Sequence, residues 1–384
     1  MSASIEIQLI AIIVSVACAT SGTFLVLRKM SLMTDSITHT ILFGIVVAYF
    51  ITKDLNSPFL IVGAALIGVF TVWLTETIVK TKIVSEDSAI GLVFPLLFSL
   101  AIIMVTKFAD SVHLDVDSVL LGELAFAPFD RLIVFGHDIG ATGLWLGIAL
   151  LLINILFVVL LFRVLKLSTF DTLLATTLGF SPVIIHYALM TVVSVTAVGA
   201  FETAGSILVI AFMIVPPATA YLLSNDLKMI IFLSGLIGGV SSILGYQLAK
   251  MLDASIAGAI AAVAGIIFVV ALIVAPKRGV LSVVMRRKKL KKKLQEFSLL
   301  THLINHKKEQ ELEHALFTLQ DHLHLDKIQT NKLLTQLVDE NKIAIENNIV
   351  KITSKGYDYV KELYEYFFYN VDEKDNKITN LQSK

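Results

Sequence analysis

The sequence predicts an all-α polytopic membrane protein of about nine transmembrane helices, eight to ten being compatible with it, followed by a small α+β cytoplasmic domain. Three observations carry that expectation. The 384 residues are 56% hydrophobic with a mean hydropathy of +0.81, too apolar for a soluble domain. Charge is unevenly spread: residues 1–276 hold 11 Lys/Arg and 16 Asp/Glu, whereas residues 277–384 hold 20 and 15. The formal net charge of zero is therefore an average over two different objects. Finally, apolar segments of about 20 residues, the length that crosses a hydrocarbon core of about 30 Å, recur along the first object.

Nine such segments are read in order: Ile5 to Leu27, Ser31 to Thr52, Pro58 to Val79, Ser88 to Thr106, Ala141 to Phe162, Pro182 to Ala200, Thr203 to Leu223, Met229 to Leu248 and Ala254 to Pro276. The first lacks a basic leader and is followed at once by another span, so it is expected to be a permanent helix. Between the fourth and fifth lies Lys107 to Gly140, whose middle piece Val119 to Pro128 is expected to form a short re-entrant or surface helix. Orientation follows from basic loops, which stay cytoplasmic. One set of loops carries Arg28, Lys29, Lys80, Lys82, Arg163, Lys166, Lys228, Lys277 and Arg278; the other carries Lys53, Lys107, Arg131 and Lys250. The N-terminus is thus expected outside, the C-terminus in the cytoplasm, and the outer loops are acidic.

Past Pro276 the run Arg286 to Lys293 has seven basic residues in eight. It reads as an anchor at the anionic inner leaflet, each basic residue contributing about 1 kcal/mol. Phe297 to Leu303 and Gln310 to Leu319 have helical spacing, and Asp326 can cap a third helix ending near Glu340. Ile343 to Ile352 alternates around Glu346-Asn347-Asn348 as a hairpin does, and a last helix follows from Thr353 to about Tyr369. Three helices, a two-stranded wing and a closing helix describe a winged-helix domain. The domain plan is therefore a transmembrane part at 1–276, a basic juxtamembrane linker at 277–296, a winged-helix-like cytoplasmic domain at 297–370 and a polar, disordered tail at 371–384.

Ionisable groups within spans are costly and mark function by default. Asp35 and His39 lie four apart in the second span, on one helix face. A carboxylate oxygen and an imidazole nitrogen there form half a coordination shell for a divalent first-row metal; a buried Asp–His bond that merely orients the helix fits the same spacing. Glu76 reads as an i,i+4 partner of Lys80, and His186 as a packed, hydrogen-bonded residue. Gly235, Gly238, Gly239, Gly258 and Gly265 read as sites of close helix packing. Leu167 to Pro182 is an amphipathic stretch with Ser168 or Thr169 as cap and Gly179 as stop, fit to dock a partner or to serve as a plain connector. No G-x-x-x-x-G-K-[ST], H-E-x-x-H or G-x-S-x-G pattern occurs, which removes the usual ATPase and two hydrolase readings. One cysteine, Cys18, excludes a disulfide framework and a multi-cysteine zinc site.

The stretch Arg28-Lys-Met-Ser-Leu-Met-Thr-Asp-Ser-Ile-Thr-His39 resembles the signature of the permease subunits of bacterial manganese, zinc and iron ABC importers. Leu120-Leu-Gly-Glu-Leu124 and Gly205 to Ala220 fit the same family, and Phe170-Asp171 to Gly179 looks like its coupling helix. The resemblance implies a subunit of the bacterial inner membrane that is not itself an enzyme. It implies a homodimeric pore for a divalent transition metal (Mn, Zn or Fe) as transported substrate, with no permanently bound cofactor. The implied partners are a cytoplasmic ABC ATPase and an extracytoplasmic metal-binding solute-binding protein. Asp35 and His39 become the metal-site candidates, and Phe170, Asp171, Ala175 and Gly179 the coupling residues. Phe43 stands where many members have a proline. Ile352-Thr-Ser-Lys-Gly356 is similar to the end of the winged helix of iron- and manganese-dependent repressors. His302 and His306 have helical metal-ligand spacing, though a solvated face is the plainer reading of the tail's histidines. The third helix, with Lys327 and Lys332 opposed by Asp326, Asp339 and Glu340, is too weakly basic to promise phosphate contacts, so nucleic acid is not an expected partner. Two other readings stay open: a membrane-anchored metal-responsive regulator, and an ATP-independent secondary carrier.

Overall fold

A computed structural model describes residues 2–54, 57, 59–108, 124–134, 137–305, 327–346 and 349–369. Two compact units emerge, Met1–Val280 and Leu281–Lys384. Among the described residues, the first unit has nine helices long and apolar enough to cross a membrane. They are α1 (Ala3–Leu27), α2 (Ser31–Thr52), α3 (Phe59–Lys80), α4 (Glu86–Phe108), α5 (Thr142–Phe170), α7 (Pro182–Ala204), α8 (Ser206–Leu223), α9 (Leu227–Leu252) and α10 (Ile256–Val274). A short helix, α6 (Thr172–Thr177), lies between α5 and α7, and a hairpin of β1 (Arg131–Val134) and β2 (His137–Ala141) precedes α5.

The hydrophobic segments were legible because hydrocarbon demands an unbroken apolar helix at each crossing. Hydropathy marks the bilayer, however, and not the helix ends. Helix α5 therefore runs eight residues past the expected Phe162 and takes Arg163 and Lys166 into its last turns. Helix α7 continues to Ala204, so Glu202 is helical and the reversal falls on Gly205 alone, at φ 77°. Of the helix expected over Val119 to Pro128, the described part shows only a 3₁₀ turn, Ala127–Phe129; residues 119–123, and with them most of Leu120–Leu124, lie outside the described residues. The hairpin was not foreseen. Its strands, Arg131-Leu-Ile-Val134 and His137-Asp-Ile-Gly-Ala141, lack the apolar–polar alternation that marks a half-buried strand.

Helix α1 is the most enclosed and packs against α5, α7, α8 and α9, while α2 packs against α3 and α4. With no hydrophobic gradient between helices and lipid, close approach and interhelical polar bonds hold such a bundle. Two glycines show where approach is limiting: a Cβ on Gly22 would collide with the Met213 carbonyl of α8, and one on Gly245 with the Ile260 backbone of α10. The glycines singled out from sequence are less constrained. Gly238 meets Ser15, whereas Gly265 has open space around it. Hydroxyl and amide groups bridge the helices: Thr71 to Thr40 (2.8 Å), Ser194 to the Ala65 carbonyl (3.0 Å) and Asn154 to Thr196 (2.7 Å).

In the second unit, α11 (Val280–Asn305) carries the basic run Arg286 to Lys293 inside one continuous helix. Beyond it come α12 (Lys327–Asp339), an antiparallel hairpin of β3 (Ile343–Glu346) and β4 (Ile349–Ile352), and α13 (Ser354–Tyr364), which ends in a π-turn, Glu365–Tyr369. Thr353 caps α13 by accepting from the Gly356 amide at 3.1 Å. Leu299, Leu300, Leu303, Leu333, Leu334, Leu337, Ile343 and Val350 form its core. The expected helix over Gln310 to Leu319, the Asp326 cap, His306 and the polar tail lie outside the described residues.

Candidate functional site

Helix α2 carries the pair singled out above. His39 Nε2 stands 3.4 Å from Asp35 Oδ1, with the imidazole 30% and the carboxylate 45% exposed. Helical pitch alone sets this proximity, since residues four apart face the same way. The His39 ring rests on two phenyl rings of α4, Phe94 at 5.0 Å and Phe98 at 6.1 Å between centroids. Phe43, like Phe50 and Phe98, packs against the buried cluster of Leu42, Val46 and Ala101, and α2 runs through it unbroken. One chain thus offers an oxygen and a nitrogen on an accessible face. No group of three or more His, Cys, Asp or Glu side chains able to hold a metal ion occurs among the described residues.

The candidate coupling stretch is α6 with its flanks. Asp171, not Ser168 or Thr169, is the cap: its carboxylate accepts from the Leu174 amide at 2.9 Å. Phe170 is the last residue of α5, and Gly179 adopts φ 84°, the left-handed stop that a side chain would resist. Ala175 is buried, while Leu173 is 80% exposed and Phe170, Leu174 and Leu178 are exposed beside it. An apolar edge is thereby presented outward by a six-residue helix. His302 sits in α11 of the second unit; its expected companion His306 lies outside the described residues.

Sequence reasoning missed the partners of Glu76. Its carboxylate does not close on Lys80 of its own helix but meets α7, with His186 Nε2 at 2.6 Å and the Tyr187 hydroxyl donating at 2.7 Å. His186 is hydrogen-bonded as expected. Its other nitrogen faces Arg28 Nη1 at 3.3 Å, and the same guanidinium donates to Ser168 (2.9 Å) and Thr169 (3.1 Å). Arg28, Glu76, Ser168, Thr169 and His186 line a cleft of about 630 Å³ together with Glu86 and Lys80. Burial of Arg28 lowers its pKa from the usual arginine value. At the opposite ends of the helices, Arg131 of β1 joins buried Glu6 of α1 (3.1 Å) to Asp138 of β2 (2.9 Å). The Gly140 amide and then Arg131 hold the Asp138 carboxyl below the usual aspartate range.

A bundle of apolar helices with a carboxylate and an imidazole on one face of a spanning helix defines a polytopic α-helical membrane protein built around a polar site. The chain belongs to the ABC 3 transport family, which it matches over residues 4–275. Proteins of this family are membrane subunits of transporters and not enzymes; ATP is hydrolysed by a separate subunit. The zinc transport system membrane protein TroD of Treponema pallidum is 41% identical over 355 residues, covering 92% of this chain and 96% of that one. A match of that extent takes in most of the second unit. The manganese transport system membrane protein MntD of Bacillus subtilis is 39% identical over 281 residues, 73% of this chain and 95% of that one. Among solved structures, PsaBC from Streptococcus pneumoniae in complex with Fab matches with a TM-score of 0.61 and 27% identity, over 76% of this chain and 96% of that one.

Proposed function

We propose that this chain is the permease subunit of an ATP-binding cassette importer of the bacterial inner membrane, passing a divalent transition metal ion into the cytoplasm. The Asp35–His39 pair carries the reading. It is the ionisable pair displayed, partly exposed, by a helix of spanning length, and oxygen plus imidazole is a donor set for first-row divalent metals. Two donors leave a shell half empty, and a homodimer bringing α2 against its own copy fills it with the same pair again. The donor chemistry admits manganese, zinc and iron; the relatives named above are zinc and manganese proteins, which favours those two as substrate.

The remaining parts follow from charge and exposure. The basic loops support a cytoplasmic side for the α1–α2 turn, α6 and the C-terminus. There the exposed apolar edge around Phe170, Asp171, Ala175 and Gly179 offers a contact for the ATPase, while the acidic outer loops receive metal from a solute-binding protein. In the second unit, α12, the β3–β4 hairpin and α13 support a winged-helix-like arrangement. Its role is dimerisation, docking on the ATPase or metal-responsive gating rather than binding nucleic acid.

Uptake of radioactive manganese or zinc into proteoliposomes holding the permease, its ATPase and the binding protein tests this. Uptake should require ATP and fall to background in Asp35→Ala/His39→Ala. Uptake that persists in that double variant removes the pair from the path. Uptake without ATPase establishes a secondary carrier, and no uptake under any condition favours the regulator.

A further inference from the structure

We infer that Arg28 is a positioning residue of the transport cycle, linking the helix end that leads into α6 to the turn that leads to Asp35. The inference rests on the proposed role of α6 as ATPase contact.

Geometry carries it. Ser168 and Thr169 occupy the last turn of α5, immediately before Phe170 and the Asp171 cap of α6, and both hydroxyls accept from the Arg28 guanidinium. Arg28 itself is the C-cap of α1. Its amide donates to the Phe24 carbonyl at 3.0 Å, Lys29 takes a left-handed φ of 63°, and the Met30 amide donates to Leu25 at 2.9 Å before α2 starts at Ser31. The α1–α2 turn is therefore short and hydrogen-bonded, and a displacement of Arg28 displaces the start of α2, one turn before Asp35. A fourth element joins through His186. Since Arg28 can only donate, His186 Nδ1 accepts, and the ring proton sits on Nε2 facing Glu76. Guanidinium, imidazole and carboxylate thus tie α1, α5, α7 and α3 at one end of the bundle. A metal reading of His186, Glu76 and Glu86 fails on the same geometry, because a guanidinium 3.3 Å from the imidazole repels a cation there.

A planar fork with several fixed donors suits this role, and an ammonium does not replace it. The test uses the complete complex in proteoliposomes, measuring metal moved per ATP hydrolysed together with metal binding in the absence of ATP. Arg28→Lys and Ser168→Ala/Thr169→Val should each lower metal per ATP about tenfold, within the range of ordinary coupling energies. Metal binding and co-purification of the ATPase should stay at the level of the unaltered protein. Combining the two changes should add little, as expected of partners in one contact. His186→Gln, whose amide can accept from Arg28 and donate to Glu76, should retain coupling that His186→Leu loses. An unchanged ratio of metal to ATP in the Ser168/Thr169 variant overturns the inference while leaving the permease reading intact. Absence of ATP-driven uptake in the unaltered complex overturns the permease reading itself.

Discussion

Asn154 invites a prediction in which the smaller-looking change does the greater harm. It is fully buried in α5 and donates through Nδ2 to Thr196 of α7 at 2.7 Å and to its own helix at Leu150 at 2.9 Å. The Leu150 carbonyl can only accept, which fixes the orientation of the amide and leaves Asn154 Oδ1 buried without a partner. Thr196, by contrast, keeps a second bond, donating to the Val192 carbonyl at 2.7 Å. Asn154→Leu forfeits one interhelical bond, about 0.6 to 1.7 kcal/mol in a membrane bundle. It also removes an orphaned acceptor that costs about 1–3 kcal/mol, so the net change is near zero or stabilising. Thr196→Val forfeits the same bond, keeps the orphan and strands part of the amide, for a loss of about 1–2 kcal/mol. SDS-induced unfolding in mixed micelles, followed by circular dichroism, ranks the two variants. A larger loss for Asn154→Leu than for Thr196→Val refutes the accounting. The functional stake is the anchoring of α5, whose end carries Ser168, Thr169 and the passage into α6.

Two further predictions follow from contacts at the ends and centre of the first unit. Gly22→Val should abolish recovery of folded protein, because its side chain would occupy the Met213 carbonyl, whereas Gly265→Val, facing open space, should leave size-exclusion profile and yield unchanged. Asp138 has a depressed folded pKa, so its contribution to holding the hairpin is present above the ordinary aspartate value of about 3.9 and is lost as pH falls through the lower folded value. Protease cleavage within the β1–β2 hairpin should therefore stay slow down to that region and rise below it, and Arg131→Gln should move the rise to higher pH.

Much of this molecule was readable residue by residue. Asp35 and His39 could be paired from spacing because four residues make about one helical turn, and the hairpin of the second unit could be placed because Ile343 to Ile352 alternates about Asn347-Asn348. The extension of α5 could not, since Arg163 and Lys166 end the apolar stretch without ending the helix. Nor could the partner of Glu76. Lys80 lay one turn away on the same helix and looked sufficient, while the true neighbours belong to α7, more than a hundred residues along the chain.

The sequence by itself determined the membrane class, the position of each long apolar segment and the carboxylate–imidazole face of α2, because each is set by composition or pitch within about 20 residues. The tertiary structure alone decided which glycines bear close approach, which hydroxyls bridge helices, and that Arg28 stands at the meeting of α1, α5 and α7. Those outcomes depend on distances between segments far apart in the chain, 158 residues for Arg28 and His186 alone, and such distances are set by packing and not by any local pattern of residues.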